Sequence, residues 1–539
     1  MRHDSDSPAG EIWRWLGAGF LAAALIMVLG ILALLTVRGL GHFWPDPLWE
    51  IVTRDASGME RTWLGAVTSR EASARSNGDA DGERLLLRTA NRDLAPPDFR
   101  WIEAAEIVSR SRPRDAVVLE RTAWGPAQGY LLSFTGVDGS VATGPDALPA
   151  AASGLARAAT LRAAIDTLRR TRIAVLSDDM EATRSKLRRD DDGPSARRDA
   201  LRRRLSELQR SYAEAESDLR ALERELDGGV LSLRLADGRV RELPLATVLR
   251  LWQPNTMHWG ERLVFQLRAI GRFLVESPRE ANTEGGVFPA IFGTVLLVLL
   301  MALLVTPLGV IAAVYMHEYA RPGPGTRALR IAVNNLAGVP SIVYGVFGLG
   351  FFVYVVGGSL DRLFFGDALP APTFGTPGLL WAALTLALLT VPVVIVSTEE
   401  GLARIPREIR EGSLALGATR AETLLRVVLP SAAPAILTGV ILAVARAAGE
   451  VAPLMLVGVV KLAPRLPVDG DFPWLHLDRQ FMHLGFHIYD VGFQSPNVEA
   501  ARPLVFATAL LLVLVIMGLN LVAIVLRGRL NRRYGAMDV

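Results

Sequence analysis

Residues 411–430 read EGSLALGATRAETLLRVVLP and form a polar, arginine-containing stretch between two long apolar runs. Glycine is costly inside a helix and frees the backbone to turn, so Gly417 predicts a break between two short helices, 405–416 and 418–429. Each half mixes apolar side chains with charged ones, which predicts helices at a membrane surface with one face left for a partner. An interfacial amphipathic helix without a partner fits the periodicity equally well.

The apolar residues of the chain are gathered in blocks, and half of its 539 residues are hydrophobic. About 20 predominantly apolar residues are needed to cross a membrane. Six stretches qualify: 16–37, 288–316, 329–356, 378–397, 432–459 and 504–526. The fold class we predict is therefore an all-α polytopic membrane protein with six transmembrane helices. The first run is longer than the ~7–15 residues of a typical signal peptide, so we interpret it as an N-terminal anchor.

Arginine and lysine in the short loops indicate the orientation of the spans. They are densest after the second span, after the fourth span and at the C-terminal end. This pattern predicts cytoplasmic segments at 1–15 and 531–539 and places 411–430 in the cytoplasm. The insert, residues 38–287, would then lie outside the membrane, in the periplasm, ahead of a core domain at 288–530.

The insert mixes short β-like runs with Asp-Gly turn signals such as Asp237-Gly238. From Leu201 to Leu226 apolar residues alternate at spacings of four and three, the pattern of a coiled-coil seam. An earlier helical stretch around Leu161 could supply the antiparallel partner. We predict an extracytoplasmic α+β insert with a coiled-coil hairpin at about 155–227, acting as a spacer or docking arm. It carries no nucleophile motif, so no catalytic residue is predicted.

Composition excludes several classes of function. The chain has no cysteine, so it has neither disulfides nor a cysteine metal site. A net charge of +3 does not indicate a nucleic-acid partner. A P-loop needs Gly-Lys-Ser/Thr, yet Lys186 and Lys461 are each followed by leucine, so this chain is not an ATPase. His483 and His487 are four residues apart, but no third ligand is placed, and we predict no metal site.

Arg446 and Glu450 are predicted to lie in the middle of the fifth span, four residues apart on one helical face. A charge buried in a membrane costs about 2.5–3.5 kcal/mol on insertion scales. The order Arg before Glu is the less favourable one for such a pair, so helix stability is a poor reason for it. Two interpretations stay open. The pair could fix the register between helices, or the planar guanidinium could line a path for an anion.

The stretch GVPSIVYG, residues 338–345, puts proline and small residues in the predicted third span. Irregular backbone is tolerated there where it packs on protein or lines a cavity, and small residues allow close helix packing. We favour packing over direct contact with a substrate. The gating and packing set comprises Gly338, Pro340, Ser341, Tyr344 and Gly345.

From Glu411 the chain resembles the EAA-x3-G-x9-I-x-LP loop of ABC importer permeases, with Gly412-Ser413 in place of Ala-Ala and Val427 in place of Ile. In that family the loop forms coupling helices that fit a groove on the ATPase subunit. The resemblance implies that residues 405–430 receive the motion of a separate ATPase. The coupling set it implies comprises Arg410, Glu411, Gly412, Ser413, Gly417, Leu424 and Pro430.

Three further stretches, PREANTEGGVFPAIFGT (278–294), NNLAGVPSIVYGVFGLG (334–350) and ARAAGEVAPLMLVG (445–458), resemble the PstA family of phosphate ABC transporter permeases. The resemblance covers about 278–530 and implies a non-catalytic subunit with a five-helix permease core after the anchor. It also implies a substrate path past Arg446 and Glu450. The partners it implies are a PstC-type permease subunit, a PstB-type ATPase dimer, a periplasmic phosphate-binding protein and membrane lipid.

Two other functions remain possible from the sequence. The chain could be a permease for another oxyanion of the sulfate or molybdate type. It could also be a membrane-anchored coiled-coil scaffold or sensor, although a mere anchor would not need charges in a span. In the transporter interpretation no cofactor is bound by this chain, and ATP is used by the partner ATPase.

Overall fold

The computed structural model of the chain describes residues 8–55, 57–72, 83–189, 195–366, 372–470, 472–495 and 498–534. The chain divides into two units. We call Met1–Trp44 with Leu267–Val539 the membrane unit and Pro45–Gln266 the insert unit. The first helix, α1 (Pro8–Gly41), belongs to the membrane unit and is followed along the chain by the insert unit.

The insert unit contains two antiparallel sheets. The first has the order β4-β3-β2-β1-β5, and the second the order β10-β9-β7-β6-β11 with β8 paired to β7. The strands are β1 (Leu48–Arg54), β2 (Glu60–Ala72), β3 (Glu83–Arg88), β4 (Phe99–Glu103), β5 (Ile107–Ser111), β6 (Ala116–Arg121), β7 (Ala127–Thr135), β8 (Val141–Thr143), β9 (Val230–Arg234), β10 (Val240–Pro244) and β11 (Val248–Trp252). One face of the first sheet packs on the second through Leu48, Leu64, Val118 and Tyr130.

Three helices interrupt the second sheet: α2 (Ala147–Leu168), α3 (Ala174–Arg189) and α4 (Ser195–Asp227). Helix α2 covers the second sheet with small and apolar residues, among them Ala151 and Leu155. Ion pairs join α4 to the helices before it, including Arg157 with Glu225 at 2.6 Å. The coiled-coil packing expected for 155–227 stays a prediction.

The membrane unit resumes at Leu267, within α5 (Trp259–Val275). A short hairpin of β12 (Pro278–Arg279) and β13 (Glu284–Gly285) follows α5. Its helices are α6 (Phe288–Val314), α7 (Pro324–Leu336), α8 (Ser341–Phe347), α9 (Gly358–Phe364), α10 (Leu379–Ala403), α11 (Arg407–Ala415), α12 (Arg420–Thr423), α13 (Leu429–Gly449), α14 (Leu454–Val457), α15 (Leu484–Tyr489) and α16 (Val498–Tyr534). Helix α10 is the most buried of the long helices, and its Leu386 packs with Leu297 of α6 and Ala443 of α13.

Six helical segments of the described chain are long and apolar enough to cross a membrane. They are Arg14–Gly41, Phe288–Tyr319, Ser341–Phe364, Leu379–Ala403, Arg420–Gly449 and Ala501–Arg529. Several of these segments consist of consecutive α-helices joined by π-helical turns, such as Gly348–Gly357 between α8 and α9. The mostly helical membrane unit with six such segments agrees with the predicted fold class.

The predicted third span was placed wrongly. The sequence put one helix at 329–356 with Pro340 inside it, but α7 ends at Leu336 and a new helix starts at Ser341. Pro340 precedes that helix with an extended backbone, φ −56° and ψ 136°. Proline lacks the N–H and clashes with the preceding turn, which favours its place immediately before a helix, where Pro340 lies. The amphipathic α7 is therefore a separate helix.

The predicted fifth span was also wrong at both ends. The expected helix 432–459 ends at Gly449, and Glu450 is already extended, with φ −79° and ψ 129°. At the other end the helix begins at Arg420 and continues to Gly449, so the expected second short helix, 418–429, is the first part of the span. We call residues 450–453 the break after α13; Pro453 within it cannot continue the helix ladder.

Candidate functional site

A tight turn at Gly417 follows α11. Gly417 has φ +90°, and an added Cβ there would meet nothing within 4 Å. The N–H groups of Leu416, Gly417 and Ala418 donate to carbonyls of Gly412, Leu414 and Ser413, which satisfies the last acceptors of α11. The positive φ, and not crowding, is therefore what favours glycine at this position.

The next helix starts with a reciprocal cap. Thr419 Oγ1 accepts from the N–H of Glu422 at 3.3 Å, and the Glu422 carboxylate accepts from the N–H of Thr419 at 2.9 Å. The hydroxyls of Ser413 and Thr423 lie 2.9 Å apart and join the two sides of the turn. These bonds fix the angle between α11 and the long helix that begins at Arg420.

Apolar side chains around the turn at Gly417 are exposed to solvent. Leu416 is 91% exposed, and Ile409, Leu414 and Leu425 are exposed as well. Glu411 and Gly412 are also exposed. The turn thus presents a mixed apolar and charged surface, as expected of a segment that meets another protein.

Arg410 ties α11 to the rest of the membrane unit. Its Nη2 donates to the Leu402 carbonyl at 2.8 Å and lies 3.1 Å from Glu318 Oε1. Both side chains are about four-fifths buried, and Glu318 also contacts His317 Nδ1 at 3.1 Å. Glu318 is therefore held by an arginine from a distant part of the chain.

Leu424 and Pro430 lie on the inner side of the 405–430 segment. Leu424 packs against a cluster that contains Val314, Leu402 and Val428. Pro430 is half-buried at the start of α13, ten residues into the continuous helical segment Arg420–Gly449. Within the coupling set, Leu424 and Pro430 therefore pack toward the membrane unit. Glu411, Gly412 and Gly417 are exposed.

Arg446 and Glu450 are close, with Arg446 Nε 3.6 Å from Glu450 Oε1. The prediction that both lie on one face within the helix was wrong, because Glu450 is the first residue beyond α13. The pair therefore lies where the helix ends and the break begins. About a third of the Arg446 side chain is exposed, which leaves donors of the guanidinium accessible.

Two residues of the gating and packing set approach this break. A Cβ on Gly345 would lie 2.7 Å from Pro453 Cα, so the α8 backbone touches the break directly. Tyr344 is buried and donates to the Leu336 carbonyl at 2.6 Å. Helix α8, which carries Tyr344 and Gly345, thus packs on the break that follows Glu450.

The other members of that set are farther from the break along α8. Gly338 and Pro340 are exposed in the connection between α7 and α8, and Ser341 is the half-buried first residue of α8. This part of the set forms the joint between two helices.

A buried polar cluster outside the spans was missed from the sequence. Asn282, with φ +72°, donates to the Lys461 carbonyl at 2.9 Å and to Asp490 Oδ2 at 3.0 Å. Lys461 Nζ lies 3.0 Å from Asp490 Oδ1, and Asp490 is 1% exposed. The cluster joins the hairpin before α6 to the segments around α15. The scarcity of lysine, with only two in the chain, was the one available signal.

His483 and His487 are buried at the start of and within α15, outside the spans, and His487 precedes Asp490 by three residues. Burial lowers the pKa of each imidazole to about 4, since the charged form loses its hydration. His483 Nδ1 accepts from the N–H of Gly485 at 3.1 Å. The two side chains are neutral groups of a packed core at neutral pH.

Comparisons with known proteins identify the family. The family described as "Binding-protein-dependent transport system inner membrane component" matches residues 305–536. The "Phosphate transport system permease protein PstA" of Mycobacterium leprae is 36% identical over 251 residues, which cover 46% of this chain and 73% of that protein. This chain belongs to that inner membrane component family.

Further similarities are to other ABC transporter proteins. The "Probable ABC transporter permease protein YqgH" of Bacillus subtilis is 34% identical over 194 residues, 36% of this chain. That match spans 59% of YqgH, less than two thirds of its length. The MetNI methionine ABC transporter in an inward-facing conformation aligns with 45% of this chain and 94% of its own, at 19% identity and a TM-score of 0.33. The family assignment rests on the sequence relatives.

The chain is thus a multi-pass membrane permease subunit of an ABC import system, as the resemblance implied. Subunits of this kind are non-catalytic, and ATP is hydrolysed by a separate ATPase. The name of the family also implies a substrate-binding protein that delivers the cargo.

Proposed function

We propose that this permease imports phosphate and forms half of a translocation path, with a PstC-type subunit as the other half. A PstB-type ATPase dimer and a periplasmic phosphate-binding protein complete the system. The observation that carries the proposal is the identity of 36% to a PstA protein over 251 residues. The orientation predicted from the loop charges gives cytoplasmic termini, a cytoplasmic 405–430 segment and a periplasmic insert.

The 405–430 segment is the docking site for the ATPase in this proposal. Its exposed apolar residues, Leu416 above all, offer a surface to a groove, and the capped turn holds that surface in one geometry. ATP-driven closure of the ATPase dimer moves the turn. The motion passes to α6 through the contact of Arg410 with Glu318.

The motion also passes to the substrate path along one helix. Arg420–Gly449 is a continuous segment of 30 residues, about 45 Å long at ~1.5 Å per residue. Its first turn is joined to Gly417, and its last turn carries Arg446. Because a helix is stiff along its axis, a displacement at the turn shifts the guanidinium and the break that follows it.

Arg446 is the group that meets the anion. A guanidinium stays charged at any physiological pH and donates from a planar fork to two oxygens of a phosphate. Glu450, 3.6 Å away, competes for the same donors and thereby keeps the anion from binding too tightly to leave. Tyr344 and Gly345 line the approach to the pair, and release to the cytoplasm follows the shift of α13.

The decisive experiment is uptake of radiolabelled phosphate in a strain that lacks this chain. Restoring the chain should restore uptake, and excess unlabelled phosphate should compete while sulfate and molybdate should not. Competition by sulfate or molybdate instead would assign the other oxyanion. Purification of the tagged chain should recover an ATPase; recovery of the chain without one would favour the scaffold or sensor function.

A further inference from the structure

The outer face of the first sheet of the insert unit is covered by arginines. Strand pairing puts Arg110 opposite Ile51, Arg100 opposite Leu87 and Arg70 opposite Leu85, all on one face, with Arg112 two residues beyond Arg110. This face is opposite to the one that packs on the second sheet. We call these four residues the arginine face.

Three of the four guanidinium groups lie over tryptophan rings. Arg110 and Arg112 are 3.5 Å and 3.9 Å from the centroid of the Trp49 ring, and Arg100 is 4.0 Å from that of Trp63. The rings attract the cations through their electron-rich faces and hold them in place. The side chains are therefore ordered before any ligand arrives.

Within the part of the chain that the structure describes, the arginine face has no ion pair with a carboxylate. Among the described residues, none of its four arginines has an acidic oxygen within ion-pair distance, whereas Arg84 on the opposite face pairs with Glu71 at 2.8 Å. Arg110 Nε and Nη2 are buried with no hydrogen-bond acceptor in the described chain. Burial lowers the pKa of Arg110, as do the charges of Arg70 and Arg112, while Glu83 opposes them. The positive charges of Arg70, Arg110 and Arg112 thus repel one another, and two N–H donor groups of Arg110 have no acceptor.

A surface cavity lies at the same place. Its volume is about 320 Å³, and Trp49, Thr68, Ser69, Arg70 and Arg112 are among the residues that line it. A water molecule occupies ~30 Å³ in the liquid, so the cavity has room for a small tetrahedral anion and part of its hydration shell. An anion there would relieve the repulsion between the arginines, and a planar guanidinium matches two oxygens of such an anion.

We propose that the arginine face is a binding site for a small tetrahedral oxyanion, held in the cavity by Arg70 and Arg112, with Arg110 stacked on the same Trp49 ring as Arg112. The site lies wholly within the insert unit and is separate from the path at Arg446. It does not depend on the proposed import function, because it is tested by binding and not by transport. Its consequence is that the insert itself senses or concentrates an oxyanion.

The test uses the full chain in phosphatidylcholine nanodiscs, with Arg446→Gln introduced so that the path does not contribute. Equilibrium dialysis against radiolabelled inorganic phosphate should show one saturable site. The double variant Arg110→Gln/Arg112→Gln should raise the Kd for phosphate by about tenfold or more. This is the loss of affinity expected when charge-assisted hydrogen bonds are removed. Arg70→Gln, at an exposed residue whose replacement removes no packing, should also raise the Kd.

Arg234→Gln is the matched control, since Arg234 stacks on Tyr130 at 4.8 Å in the second sheet and carries the same charge. Its Kd should equal that of the parent. The proposal is overturned if Arg70→Gln binds phosphate as tightly as the parent, or if the parent shows no saturable site. It is also overturned if Arg234→Gln loses as much affinity as the variants of the arginine face. So would binding only to phosphatidylglycerol vesicles and not to inorganic phosphate, which would make the occupant a lipid headgroup.

Discussion

Arg410 links the segment before the turn at Gly417 to the end of the second span, with its Nη2 3.1 Å from Glu318 Oε1. The same nitrogen donates to Leu402 at the end of the fourth span. One guanidinium therefore joins the neighbouring helices α10 and α11 to the end of the second span, which is distant in sequence. In the proposed mechanism this contact transmits the motion of the ATPase to α6.

Arg410→Gln and Glu318→Gln should each lower phosphate uptake by roughly fivefold or more, the size of typical coupling between sites. The double variant should be no worse than the poorer single variant, because the two residues act through one contact. Uptake is measured per assembled complex. Arg330→Gln is the control, since its partner Glu399 is 3.3 Å away and its own side chain is half exposed. If the losses of uptake add in the double variant, the two residues do not act through one contact.

Gly417→Val should uncouple ATP hydrolysis from uptake. A β-branched residue at φ +90° costs about 1–2 kcal/mol, and relief of that strain distorts the turn. Gly417→Asn should retain more coupled uptake, because asparagine tolerates the left-handed region. ATP hydrolysis and uptake are measured in the same vesicles. Gly528→Val, at a helical glycine whose Cβ would also meet nothing within 4 Å, should behave as the parent. Normal coupling in Gly417→Val would remove the turn from the docking site.

Local signals gave the sequence-based predictions that agree with the structure. The break at Gly417 follows from the freedom of a glycine between two amphipathic stretches, and six apolar blocks correspond to six long helices. Hydropathy averages over a window and does not detect breaks within it. The helix was therefore continued through Pro340 and past Glu450, where proline and an extended backbone interrupt it.

Contacts between distant residues could not be predicted from the sequence. The partner of Arg410 is Glu318, 92 residues earlier in the chain, and no sequence pattern connects the two. The cluster of Asn282, Lys461 and Asp490 joins three segments and carries no motif. Only the fold brings such groups together, since their order along the chain says nothing about their separation.

Gly345→Ala should destabilise the membrane unit. The added Cβ would lie 2.7 Å from Pro453 Cα and 2.9 Å from its carbonyl oxygen, and neither backbone atom can move alone. Overpacking of this kind typically costs about 1–3 kcal/mol. The melting temperature of the purified chain should fall, whereas Gly350→Ala, where nothing lies within 4 Å, should leave it unchanged. An unchanged melting temperature in Gly345→Ala would show that the break yields freely.

Acid should destabilise the chain between about pH 6.5 and pH 4. His483 and His487 have a folded pKa of about 4, below the ordinary 6.5, because burial disfavours the charged form. As the pH falls below 6.5, these histidines are protonated in the unfolded state but stay neutral in the folded state. The free energy of unfolding therefore decreases from pH 6.5 down to about pH 4. The melting temperature is measured at pH 7.5 and 4.5.

The control for this pH effect must separate it from the general effect of acid on carboxylates. His487→Leu should show a smaller drop in melting temperature between the two pH values than the parent. His258→Leu, at an exposed histidine, should show the same drop as the parent. If the drop in His487→Leu equals that of the parent, His487 is not the titrating group.

Arg446→Gln should abolish phosphate uptake while the complex still assembles. Glutamine keeps hydrogen-bonding capacity at the end of α13 but removes the charge that attracts the anion, and it leaves Glu450 to repel it. Uptake and the recovery of the ATPase with the tagged chain are measured on the same membranes. Arg502→Gln is the matched control, since Arg502 also faces a carboxylate near a helix end, Glu499 at 3.3 Å, but is exposed. Uptake at the level of the parent would remove Arg446 from the path, and loss of the ATPase would make the pair structural.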